Sequence, residues 1–248
     1  MISLDDLTYH LDLSKKIYVG FSGGPDSSAL LYLLHINNIP NVEAIHINHN
    51  ISDNSSKWEE HCRKITDKLG VKCHIESVDI KVDGDGLESA ARKARYKIFT
   101  NYLKKDEQIL LGHHSDDVAE TFLLRLFRGT GLDGLESLSV KRKVGEGYLI
   151  RPLINLPKEN ILIFLKDHRI SFIKDESNFK EDQDRNYLRN NIIPSIEDRW
   201  AKVSSRISAT SNFIKIRNNS YEMLFEEKYH HLIGNKIKVK ELKKIQKS

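Results

Sequence analysis

Residues 19–28 read VGFSGGPDSS and follow directly on Ile17 and Tyr18. The run KIYVGFS (16–22) has the apolar and aromatic content of a buried strand, and DSSALLYLLHI (26–36) reads as the helix behind it. Adjacent glycines at a strand-to-helix turn let the backbone come close to a ligand and aim several N–H groups at it. The helix adds its own unpaired N–H groups and the positive end of its dipole. Such a turn holds phosphate. It is not a Walker A loop, because the lysine that loop requires is missing. Ser22, Ser27 and Ser28 add hydroxyl donors. Asp26 is the odd member, since a carboxylate beside phosphate is repelled unless a divalent cation lies between them. Asp26 is therefore read as a Mg²⁺ ligand, direct or through water. The competing reading is a helix N-cap worth about 1 kcal/mol.

Working outward, apolar runs and amphipathic stretches alternate over the first two thirds of the chain. VEAIHIN (42–48), a part of VKCHIESVDI (71–80), QILLGHH (108–114) and YLIRPL (148–153) read as further strands. Helices are expected near 55–69, 87–104 and 116–127. Strands alternating with helices of this length predict an α/β fold, a doubly wound parallel five-stranded sheet covered on both faces. After Pro157 the pattern turns helical, interrupted by the polar stretch IKDESNFKEDQDRNYLR (173–189), which reads as loop. The expected division is a catalytic domain over 1–195 and a helical, basic region over 196–248.

Net charge is +4, unevenly placed. Residues 201–248 carry eleven Lys/Arg against four Asp/Glu, a net +7, which leaves −3 for residues 1–200. A basic end on a slightly acidic body suits contact with a polyanion; a solvated lysine-rich end is the alternative. No apolar stretch approaches the roughly 18 residues of a membrane span, and the N-terminus lacks the pattern of a secretory signal. The two cysteines, Cys62 and Cys73, stand eleven positions apart and fit no CxxC pair. A reduced cytoplasmic protein without membrane contact is the expectation.

The second informative stretch is LLGHHSDDVAETFLLRLFRGTGLDGL (110–135). In doubly wound sheets ligands sit at the carboxyl ends of the strands, where the first and fourth become neighbours if the order reverses there. Ala119, Phe122, Leu123, Leu126 and Phe127 form the expected buried stripe, with Asp116 and Glu120 on another face beside Asp117 and Thr121. Asp116 and Asp117 fall in the first helical turn, aimed at the phosphate site. His113 and His114 beside two aspartates also suit a transition metal, but a histidine touching nucleotide or substrate fits better with the glycine turn.

SGGPDS resembles the signature of the PP-loop ATP pyrophosphatases, which cleave ATP between the α and β phosphates. HINHN (46–50), ESAARKARY (88–96), GHHSDDVAET (112–121), RGTGLDGL (128–135), RPL (151–153), the D-x-S-N of Asp175, Ser177 and Asn178, and RNYLRNNIIP (185–194) follow in order. Together they resemble the bacterial tRNA(Ile)-lysidine synthetases from about residue 15 to 200. The resemblance implies an adenine nucleotide alpha hydrolase-like fold, ATP and Mg²⁺ as cofactors, and two further substrates, tRNA(Ile) with a CAU anticodon and free L-lysine. ATP adenylates the O2 of the wobble cytidine, and the lysine ε-amine then attacks C2 and expels AMP. Ser22, Gly23, Gly24, Pro25, Asp26 and Ser27 take the phosphates. Asp26 and Asp117 hold the metal, and His46, Asn48 and His49 lie toward the adenosine.

Lysine arrives as an ammonium, so reaching the free amine at neutral pH costs about 4.6 kcal/mol. Asp116 and Glu120 are the candidates to bind and deprotonate it, with His114 as an alternate base. Arg92 and Arg95, three apart on one helix, hold the transition-state phosphate or the tRNA backbone. Arg125 and Arg128 belong to a substrate loop. Arg185, Asn186 and Arg189 suit RNA or internal bracing equally. Many members of the family continue well beyond residue 248, so this chain is either a short form or a fragment. Two rival readings are a tRNA thiolase, whose chemistry needs cysteines commonly arranged as a CxxC pair that this chain lacks, and a nucleotide-binding module without turnover.

Overall fold

The computed structural model describes residues 7–50, 54–80, 86–173 and 183–229. Strand β1 (Ile17–Gly20) leads through the glycine turn into α1 (Pro25–Ile36). Then come β2 (Val42–Asn48), α2 (Ser55–Leu69), β3 (Cys73–Ser77), α3 (Leu87–Tyr102), β4 (Gln108–Leu110) and α4 (Ser115–Phe127). The sheet order is β3-β2-β1-β4-β6-β5, with β5 (Lys141–Val144) and β6 (Gly147–Ile150) forming a hairpin. β1 pairs in parallel with β2 on one side (Ile17 opposite Val42) and with β4 on the other (Ile17 opposite Gln108). The winding reverses between β1 and β4, which opens the crevice at their carboxyl ends.

Among the described residues the sheet has six strands, not five, and its last strand is antiparallel. β5 reads KRKV and exposes Lys141, Arg142 and Lys143, so it carries no alternation of apolar and polar residues to betray it. Its turn is set by Gly145 at φ +56°, and by Gly147, where a Cβ would run into the Glu107 carbonyl oxygen.

Both faces of the sheet are covered. Ile17 and Val19 pack with Leu30 and Leu34 of α1 and with Ile161 and Leu165 of α5 (Lys158–Asp167). Tyr18 faces the other way and joins Ile45, Ile109 and Leu149 beneath Phe99 and Leu103 at the end of α3. That two-sided burial is why β1 is a continuous apolar run. Truncating a fully buried leucine such as Leu30 to alanine costs about 2–5 kcal/mol.

The expected stripe on α4 holds for Ala119 and Leu123, while Leu126 and Phe127 are 44% and 66% exposed. Leu123 packs with Leu188, Ile193, Val203 and Ile207, which ties α4 to the C-terminal helices. These are α6 (Asp184–Tyr187), a π turn (Leu188–Ile192), α7 (Ile193–Glu197) and α8 (Val203–Tyr229). Arg185, Asn186 and Arg189 thus sit on helical backbone where the sequence suggested loop. Buried Ser204, Ser208 and Ser211 let α8 come close to its neighbours, and the Ser211 hydroxyl donates to the Leu135 carbonyl at 2.7 Å. The Asp175, Ser177 and Asn178 motif and the basic end from 230 onward lie outside the described residues. Among the described residues no helix is long and apolar enough to cross a membrane.

Candidate active site

The glycine turn has the shape its sequence suggests. Gly23 sits at φ +78°, and a Cβ there would meet Ile173 at 2.6 Å and the Cys62 sulfur at 3.0 Å. Gly24 is the extended N-cap of α1, with no side-chain cap, and Pro25 opens the helix. The first-turn N–H groups of Asp26 and Ser27 therefore have no acceptor within the helix. Ser22 donates its backbone N–H to the Ser27 hydroxyl at 3.2 Å, and the Ser28 hydroxyl donates to the Gly23 carbonyl at 3.3 Å. These bonds fix the loop as a concave row of donors.

Gly112 explains how the second motif reaches this loop. A Cβ there would lie 2.7 Å from the Asp26 carbonyl oxygen, so only glycine lets the end of β4 rest on the first turn of α1. The next two residues run in extended backbone and point opposite ways. His114, 1% exposed, lies 3.6 Å from Asp26 Oδ1, 3.5 Å from Asp116 Oδ2 and 3.4 Å from Asp117 Oδ2. Burial works against its charge, but Asp117, Asp116 and Asp26 outweigh burial and push it up to about 10. In this arrangement the three acids favour the imidazolium form of His114. His113 turns to the other side, where its Nδ1 accepts from Arg151 Nε at 3.1 Å. Burial pulls His113 down to about 4, so it is neutral.

The acids divide their work. Asp116 Oδ2 accepts the Lys158 backbone N–H at 2.9 Å at the start of α5. Although burial opposes its charge, His114 and that N–H bring it down to about 2. Asp117 accepts the His114 backbone N–H at 2.9 Å and closes the first turn of α4. Glu120, 1% exposed, is clamped by Arg189 through two hydrogen bonds of 2.6 and 2.7 Å, with Arg185 Nε 3.3 Å away. Burial pushes the Glu120 carboxyl up. Arg185 also donates to the Thr121 hydroxyl at 2.6 Å. These contacts link α4 to the C-terminal helices, and Asn186 is buried.

The remaining sequence candidates fall into two groups. Buried His46 and Asn48 and half-buried His49 close β2; His46 Nδ1 lies 2.9 Å from the Phe21 carbonyl, and Asn48 accepts the Asn50 N–H at 2.9 Å. Burial, Arg95 and His46 pull His49 down to about 4. Arg125, by contrast, holds the loop behind α4 through the Gly134 and Glu136 carbonyls at 2.9 and 3.0 Å. Arg128 forms an exposed pair with Asp184 at 3.4 Å.

Among the described residues Asp26 Oδ1, His49 Nδ1 and His61 Nε2 are buried without a hydrogen-bond partner, although Asp26 Oδ1 stands 3.6 Å from His114. An orphaned carboxylate oxygen beside a row of N–H donors suits Mg²⁺ bridged to phosphate, which needs only one or two carboxylates from the protein. Asp26 and Asp117 lie on either side of His114. Among the described residues no cluster of three or more His, Cys, Asp or Glu forms a metal site by itself. His61, near Gly23, and Arg151 were not singled out from sequence; His61 lies in a helix whose pattern reads as ordinary packing.

The PP-loop domain family matches residues 3–196. The chain belongs to the PP-loop family. Its glycine turn is the PP-loop. Among curated relatives it is 37% identical over 214 residues to the tRNA(Ile)-lysidine synthase of Legionella pneumophila (strain Paris), covering 85% of this chain and 49% of that one. It is 38% identical over 224 residues to the enzyme of that name from Photorhabdus laumondii, covering 88% and 51%. The chain spans about half the length of the curated relatives it matches. Among solved structures, the U34-tRNA thiolase NcsA from Methanococcus maripaludis, with its iron–sulfur cluster, aligns at TM-score 0.64 and 21% identity over 81% of this chain and 72% of that one. This likeness is one of fold, the same PP-loop sheet.

Proposed function

We propose that the chain is the catalytic part of a tRNA(Ile)-lysidine synthase. It uses ATP to convert the wobble cytidine of an isoleucine tRNA with a CAU anticodon to lysidine. In this reading the cytosine O2 attacks the α-phosphorus of ATP and the bond to pyrophosphate breaks. The ε-amine of free L-lysine then attacks C2, and AMP leaves with that oxygen. The single observation behind the reading is the PP-loop with the orphaned Asp26 oxygen at the crossing of β1 and β4.

Gly23, Gly24 and Ser27 hold the β and γ phosphates, whose charge grows as pyrophosphate leaves. Mg²⁺ on Asp26 and Asp117 would neutralise that charge. His46, Asn48 and His49 face the nucleoside. The His114 ring lies between Asp26 and Asp117 and sets their separation. Arg92 and Arg95 on α3 face the transferred phosphate. Arg189 and Arg185, through Glu120, hold α4 and therefore Asp117 in place. Residues 1–195 carry the chemistry, and the basic region from 196 aids contact with RNA in the cytoplasm.

The cysteines speak against the thiolase reading. Cys62 and Cys73 are the chain's two cysteines, and burial pushes Cys62 up to about 12, which leaves it unreactive. The deciding experiment is pyrophosphate release from ATP and Mg²⁺ with CAU tRNA(Ile), with and without labelled lysine. Lysine entering the RNA supports the proposal. Pyrophosphate without lysine incorporation, or ATP binding without turnover, refutes it for this chain.

A further inference from the structure

Beside the sheet end lies a second group of cations, of which the reaction above uses only Arg92. Tyr96 of α3 is at its centre. The Arg92 guanidinium lies 5.1 Å from the ring centroid and donates to the Tyr96 hydroxyl at 3.3 Å. Arg142 of β5 stacks on the same ring at 4.7 Å. Arg142 shares its strand face with Val144, which packs into the cluster under α3. One strand position earlier, Lys141 lies over the Tyr148 ring at 4.5 Å, and Lys143 stands exposed beyond it.

Arg151 follows β6 and is 2% exposed. Its donors go to neutral groups, His113 Nδ1 at 3.1 Å and the Ser139 carbonyl at 2.6 Å. The Ser139 hydroxyl in turn accepts from Lys215 of α8 at 3.3 Å, so the row of cations continues to the long helix. Among the described residues no carboxylate lies within ion-pair distance of Arg92, Arg142, Arg151, Lys141, Lys143 or Lys215. Asp12 feels the Lys141 charge but forms no ion pair with it. Burial raises the Tyr96 hydroxyl, yet Arg92 and Arg142 outweigh it and bring the group below its ordinary value.

A guanidinium taken out of water beside neutral partners is costly, and the cost is offset when an anion completes the site. Arginines stacked on tyrosine rings at an exposed sheet edge also present flat faces for bases. We propose that Arg142 and Lys143, with Arg92 and Arg151 behind them, form a track for the sugar–phosphate backbone of single-stranded RNA running from the catalytic crevice along β5 toward α8. The track deepens the reading of this chain as an RNA-modifying enzyme and rests on it. Its position fits that role, because Arg151 touches His113 while His114 touches the acids. RNA lying on the track would bring one extruded base over the strand ends.

The test uses the full 248-residue chain and an RNA anticodon stem–loop with a CAU anticodon, titrated by fluorescence anisotropy over a range of salt. Each lost phosphate contact on single-stranded RNA lowers the slope of log K against log salt by about 0.7. Arg142→Ala should weaken binding about tenfold and reduce the slope by that amount. Lys143→Glu, exposed and unable to disturb the core, should weaken binding further. Thermal melting and ATP affinity report that each variant stays folded. Binding by the unchanged chain with slope and affinity unaltered in both variants overturns the track while leaving the RNA reading intact. Failure of the unchanged chain to bind the stem–loop overturns both.

Discussion

Replacing Arg189 by alanine tests whether the Glu120 clamp holds the site together. Glu120 and Arg189 have side chains 2% and 26% exposed and meet through two short hydrogen bonds. Removing one partner of a fully buried pair costs about 3–5 kcal/mol, because the other charge is left stranded. Here Arg185 stays 3.3 Å from Glu120 and Arg189 is partly solvated, so we expect about 2–3 kcal/mol. For a chain of this length that lowers the melting temperature by about 4–12 °C.

The loss should depend on pH with a defined sign. Burial already raises the Glu120 carboxyl above its ordinary value. A carboxyl raised in the folded state favours folding below its unfolded pKa and loses that contribution as pH rises through the folded pKa. Without Arg189 the rise is larger, so the deficit relative to the unchanged chain should shrink from about pH 8 to about pH 5. Adding Glu120→Gln to Arg189→Ala should recover most of the stability at neutral pH, since no charge is then left buried. The assay is thermal melting of the three chains across that range. A deficit that is flat with pH and not relieved in the double variant would refute the clamp as its cause.

Gly112→Ala places a methyl 2.7 Å from the Asp26 carbonyl oxygen, so it should separate β4 from α1 and weaken ATP binding at least about tenfold, measured by calorimetry. Asp26→Asn, or removal of Mg²⁺ with a chelator, should lower pyrophosphate release by about 10²-fold or more while the chain stays folded. Cys62, fully buried and pushed up to about 12, should resist a thiol reagent in the native chain and react on unfolding, as read by mass spectrometry.

Much of the architecture was legible because apolar periodicity and glycine punctuation carry it. The helix after Asn54 and the strand over Val42–Asn48 fall where their patterns begin and end. β5 was not legible, since an edge strand made of KRKV has only Val144 to bury and reads as a charged loop. The site was half legible. Ser22 to Ser27 and the Asp116–Asp117 pair stand out by residue type at a strand end, and the structure brings them together. The pairing of Glu120 with Arg189 was hidden because the two are 69 positions apart and Arg189 lies in a π turn that no local pattern announces. Leu126 and Phe127 were misleading: helical spacing placed them on the buried stripe, but they are exposed.

The opposite orientations of His113 and His114 make this short segment a partition. One neighbour looks into a chamber of carboxylates, the other into a chamber of guanidiniums, and the backbone between them is the wall. Side chains on extended backbone alternate strictly, so inserting or deleting one residue between Leu111 and Ser115 would exchange the chambers' contents. Because each ring takes its charge from its surroundings, the two histidines could trade places, but the acids of α4 would lose their register with Gly112 and the first turn of α1. The loop can therefore vary in chemistry more readily than in length, and any homologous segment grafted here must keep its residue count.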